Sequence, residues 1–95
     1  MGARDAFYII RATSTEPGQW SLEGRAYEEI HVGDILVLPD PQGHGAEVEA
    51  SYEVVEITTY RRRVLTLNKL VTGSIVVRSY AQAHPQPEKI LVTVA

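Results

Sequence analysis

Apolar side chains recur at every second position along much of this chain, and that period constrains the fold more than any other feature. In "WSLEGRAY", residues 20 to 27, Trp20, Leu22, Gly24 and Ala26 fall on one side of an extended backbone. Ser21, Glu23, Arg25 and Tyr27 fall on the other. This is the pattern of a strand with one buried face; an amphipathic helix repeats its apolar residues every three or four positions instead. Gly24 and Ala26 are poor strand formers. Their value on the inward face must be their small size, which the tight interior of a barrel would require.

The alternation continues elsewhere. Val48, Ala50, Tyr52 and Val54 share one parity, opposed by Glu47, Glu49, Ser51 and Glu53. Val55 and Ile57 then take the other parity, and a strand can change faces in this way only through a β-bulge, a sharp bend or a corner between two strands. In "IHVGDILVLPD", residues 30 to 40, Gly33-Asp34 sits between two apolar runs. Glycine tolerates positive φ and aspartate favours turns, so this pair predicts a tight connection between two strands. Pro39 and Pro41 end the second of them, and residues 39 to 47 form a loop. "FYII" opens the chain as a strand followed by a polar loop. "RRRVLTLNK" continues as strand, and another strand follows Gly73. "KILVTVA" is a terminal strand with Ile90, Val92 and Val94 on one side.

Six or seven short strands with regular turn signals predict an all-β fold, a small antiparallel β-barrel. Residues 1–80 form the barrel domain. Residues 81–87, polar and carrying Pro85 and Pro87, form a linker, and 88–95 an additional strand packing on the same domain or on a partner.

With 95 residues the chain is one domain with a modest core. It has no cysteine, which removes disulfides, thiolate metal sites and thiol nucleophiles. Its net charge of −3 argues against a dedicated nucleic-acid binder, although not against a local basic patch. "MGARDAFYII" has no long apolar core of signal-peptide type, and no apolar run approaches the ~18 residues of a membrane span. The expectation is a cytoplasmic protein with no membrane contact.

Chemistry-bearing residues are sparse. "YRRRV", residues 60 to 64, is the most conspicuous basic cluster, and strand alternation places Arg61 and Arg63 opposite Arg62. It is read either as a solvated strand end or as a contact for RNA or an acidic protein, with Tyr60 available for stacking. Tyr27 carries the outward parity beside Arg25, a pairing common at interfaces. The partner-binding candidates are therefore Arg25, Tyr27, Tyr60, Arg61 and Arg63. Glu47, Glu49 and Glu53 read as a solubilising edge that could pair with the arginines. His31, His44 and His84 show no metal-ligand spacing, so no metal or cofactor is expected. No nucleophile elbow occurs, and no enzymatic activity is expected.

In order, "FYII", "SLEGRAYEEIHVGDILVL" and "YEVVEITTYRRRVLTLNKLVTGSIVVRS" resemble the second, β-barrel domain of translational GTPases of the elongation factor Tu type. Gly24, Ile30, Val32, Gly33, Asp34 and Leu36 match the first part of that pattern, including its "v-G-D-x-l" hairpin. Val54, Ile57, Gly73, Ile75 and Val77 match the later part, and coverage is roughly residues 6 to 80. Ser79 stands where the family has a glycine, and Glu28-Glu29 where it has another. No G-x-x-x-x-G-K-[ST] motif occurs, so nucleotide binding is not carried over. The resemblance implies a barrel fold and a tendency to bind RNA ends, ribosomal surfaces or neighbouring domains. The expected function is a non-enzymatic binding module recognising a protein or RNA partner. The alternatives are a homo-oligomerisation unit acting by edge-strand addition through the C-terminal strand, and a small-ligand-binding barrel using polar groups such as His31 and Asp34 at its mouth.

Overall fold

A computed structural model describes residues 4–39, 48–79 and 90–93, with backbone alone at 39 and 48–50. The described elements are strands only: β1 (Asp5–Glu16), β2 (Gln19–Ala26), β3 (Ile30–His31), β4 (Ile35–Pro39), β5 (Val48–Thr59), β6 (Arg62–Val64), β7 (Thr66–Leu67), β8 (Thr72–Ser79) and β9 (Ile90–Thr93). The main sheet runs β4-β9-β1-β2-β8-β5-β6, and β4 also pairs with β5. Six antiparallel strands thereby close into a barrel, with β6 added on the edge of β5 beyond the reach of β4. β4, β5 and β8 lie in sequence and β9 returns beside β4, a Greek-key arrangement. The pair β3–β7 forms a separate two-stranded sheet, and its Ile30 and Leu67 are both fully buried. No helix among the described residues is long and apolar enough to cross a membrane.

The alternation becomes the core. Leu22, Gly24 and Ala26 point inward on β2, Arg25 points out and Trp20 is half-buried against the core. Tyr52, Phe7, Ile9, Leu36, Ile57, Ile75 and Leu91 fill the interior with less than 2 % of their surface exposed. Burying each of these large apolar side chains contributes roughly 1.5–3 kcal/mol. No polar or charged residue is buried among those described.

Gly24 shows why small residues are needed inside. A Cβ at this position would lie 1.9 Å from the Tyr8 carbonyl oxygen and 2.8 Å from the Phe7 ring. β1 shifts register between Ile9 and Arg11 opposite this point, and the bulge brings its backbone onto β2.

The phase slip in residues 54 to 57 is likewise a bulge. β5 is one continuous strand whose register against β8 shifts between Val54 and Glu56. Val54 and Ile57 both remain fully buried. At Gly33-Asp34, the Asp34 N–H donates to the His31 carbonyl at 3.0 Å, and Gly33 has φ +99°. Positive φ at the third of four residues is the type II turn, for which glycine is the natural choice. The strands it joins, β3 and β4, are not paired with each other, so the connection is a corner between sheets and not a hairpin.

Other expectations are corrected. β1 continues through Glu16, where a polar loop was expected after "FYII"; "RATSTE" supplies enough β-branched residues to pair with β2 as far as Gln19. The segment from Arg61 does not continue as strand from β5. Tyr60 and Arg61 turn the chain back, and Arg62–Val64 pairs with Ile57–Thr59. β8 starts at Thr72 and includes Gly73. In β9 the fully buried residue is Leu91, with Val92 8 % exposed and Ile90 half-buried, so the core parity is not that of Ile90. β9 lies between β1 and β4 and completes the ring. Residues 81–87 and most of the loop after Pro39 lie outside the described residues.

Candidate functional site

Strand directions place Arg4, residues 27–34, the β5–β6 turn, residues 65–71 and Thr93 at one end of the barrel, which the β3–β7 pair covers. All five sequence candidates lie at or next to this end. Arg25, exposed near the end of β2, is in register with Thr72 of β8. The Thr59 hydroxyl donates to the Thr72 carbonyl at 3.3 Å, so Thr72 stands between Arg25 and the β5–β6 turn. Tyr27 is half-buried, and its N–H donates to the Ala6 carbonyl at 2.7 Å. The Leu70 N–H donates to the Ala26 carbonyl at 2.7 Å, which brings Leu70 beside Tyr27.

The turn itself is exposed at both of its central residues. Thr59 pairs with Arg62, leaving Tyr60 and Arg61 as a two-residue loop. Their φ angles are +51° and +63°. Positive φ at both central residues is the type I′ turn, whose twist suits a hairpin but whose usual occupants are Asn-Gly or Asp-Gly. Tyr60 is 85 % exposed. A bulky residue in the left-handed region costs roughly 1–2 kcal/mol, and Tyr60 has no burial to offset that.

Arg63 is engaged locally: its Nη2 lies 3.3 Å from Glu56 Oε1 on the neighbouring strand. The described pairing of Arg63 is with Glu56; Glu47 and the side chain of Glu49 lie outside the described residues. Arg4 and Lys69 both approach Glu28, at 3.8 and 3.9 Å. Arg25, Arg61 and Arg62 make no ion pair among the described residues. A continuing strand turns Arg62 away from Arg61 and Arg63; the hairpin, in which Arg62 pairs with Thr59, puts it at the base of the same tip.

Exposed apolar residues concentrate here too. Of the six large hydrophobic residues exposed among those described, Val32, Ile35, Tyr60, Leu65 and Leu70 belong to this end, and only Ile10 lies elsewhere. Leu65 is 75 % exposed, and its carbonyl accepts from the Val32 N–H at 3.1 Å, which sets the two side by side. In sequence, Leu65 read as part of an apolar strand and gave no sign of exposure.

His31 and Asp34 serve the corner. The His31 N–H donates to Asp34 Oδ2 at 2.8 Å, reciprocating the turn bond. His31 Nε2 lies 2.9 Å from Glu29 Oε1, and its Nδ1 lies 3.2 Å from Thr66 Oγ1. Asp34, Ile35, Leu36 and Thr93 line an open depression of about 570 Å³ at the rim. No group of three or more His, Asp or Glu side chains among the described residues is arranged to hold a metal ion. His44 and His84 lie outside the described residues.

Comparison of the chain with protein-family models, with curated proteins and with solved structures gives no match.

Proposed function

We propose that this barrel domain is of the elongation-factor-like kind and acts by binding a macromolecular partner, protein or RNA, through its β5–β6 end. The observation that carries this reading is the turn made by Tyr60 and Arg61. Both residues occupy backbone conformations that Asn-Gly would hold with less strain. Both project into solvent, so their side chains return nothing to the fold. Unfavourable local geometry retained without a structural gain points to use in contact with something else. Arg25, Arg61 and Arg62, which make no ion pair among the described residues, add positive charge to this end, and tyrosine and arginine are among the residue types most enriched at binding hot spots.

The test is the double variant Tyr60→Asn/Arg61→Gly. It should raise the melting temperature while a partner captured from lysate by the wild-type chain is lost. Retention of that partner by the variant, or a melting temperature that does not rise, would count against the reading.

A further inference from the structure

The β5–β6 end carries more than charge. Along β6 the surface passes from Tyr60, Arg61 and Arg62 to the exposed pair Leu65 and Val32. At about 3.3 Å per strand residue, Arg61 and Leu65 are at most roughly 13 Å apart along the chain. Resting on the binding reading above, we propose that the occupant of this surface is a protein segment that presents a cluster of carboxylates and, within roughly 13 Å of it, one or two large apolar side chains. Carboxylates pair with Arg61 and Arg62, which make no ion pair among the described residues and offer bidentate geometry. The apolar side chains cover Leu65 and Val32, which are adjacent and both exposed.

Other occupants fit less well. A nucleic-acid strand satisfies the arginines and can stack on Tyr60, but its ribose-phosphate backbone gives Leu65 and Val32 nothing apolar to bury against. A flat anionic bilayer would also meet Glu28 and Glu29, which share this end of the barrel. A second copy docking by two-fold symmetry would set Arg61 and Arg62 near their own equivalents. A narrow peptide segment can follow β6, where Glu56 is already paired with Arg63, and stay clear of Glu28.

The experiment is a backbone-amide NMR titration of the full chain with three probes. The first is a synthetic peptide of three consecutive acidic residues, a three-residue Gly/Ser spacer and a Leu-Phe pair. The second is a uridine octamer, and the third phosphatidylserine vesicles. The peptide should shift amides in residues 59–66 and 31–33. Arg61→Ala with Arg62→Ala should weaken it about tenfold, and Leu65→Ser about fivefold, in the range of single hot-spot losses. Leu65 is so exposed that its serine variant should melt as the wild type does. Equal affinity for a peptide with Ser-Ser in place of Leu-Phe, or no effect of Leu65→Ser, overturns the proposal. So do shifts of the same amides by the octamer or the vesicles without any by the peptide, a result that leaves the hairpin as a binding site. Silence from all three probes overturns it as well, and the capture experiment on the tip variant then decides the wider reading separately.

Discussion

Two tight hairpins of the main sheet solve the same problem with opposite residues. Between β1 and β2 the chain reverses at Pro17-Gly18. Proline presets the first central φ and Gly18 takes +78°, the chemistry of a type II turn. Between β5 and β6 it reverses at Tyr60-Arg61, both in the left-handed region and neither glycine. Glycine serves the β1–β2 ribbon again at Gly24, where any side chain would strike the Tyr8 carbonyl. One ribbon is built for backbone economy. The other keeps an aromatic and a guanidinium at its tip against local preference, the asymmetry that the proposed binding role predicts.

Substitutions break or sharpen this contrast. The largest effect is expected at Gly24→Ala, because a methyl group 1.9 Å from a backbone oxygen forces β1 away from β2. A loss of about 3 kcal/mol, or a chain that does not fold, should appear in urea titration. Tyr60→Asn/Arg61→Gly should move the other way, stabilising by about 1.5 kcal/mol. In a domain of this size that is a rise of roughly 6–12 °C in calorimetry. Gly18→Ala should cost about 1 kcal/mol, since Ala must hold the positive φ that Gly18 holds freely. Smallest is Arg63→Ala: it removes an exposed ion pair with Glu56 and should change stability by under ~0.5 kcal/mol. If Gly18→Ala and the tip variant shifted stability in the same direction, the contrast between the two hairpins would collapse.

The barrel was legible because a period of two leaves a strong trace wherever one face is buried. Leu22, Gly24 and Ala26, the face change between Val54 and Ile57, and the Gly33 turn could all be read before any coordinates. The β5–β6 reversal could not. "TTYRRRV" contains no glycine, asparagine, aspartate or proline, so nothing local announces a turn. The pairing of Ile57 with Val64 imposes it from outside, a tertiary demand overriding local preference. The same omission hid Arg62 and Leu65, whose positions depend on where the chain reverses. The five candidates chosen from parity share one end of the barrel, yet only Tyr60 and Arg61 stand at its tip, while Arg63 is turned to Glu56 and Tyr27 is half-covered. The parity of β9 misled for a related reason: a four-residue strand flanked on both sides has apolar residues facing two ways.

The seam of the barrel joins residues from opposite ends of the chain. Thr93 donates from its N–H to the Arg4 carbonyl at 2.8 Å, and Arg4 donates back to the Thr93 hydroxyl at 3.3 Å, across 89 positions of sequence. During synthesis, β1 therefore emerges long before the strand that will occupy its second edge. Until that strand leaves the ribosome, β1 and β4 both present unsatisfied backbone to whatever is near. The ring therefore has no closed form until the strand Ile90–Thr93 pairs with β1 and β4.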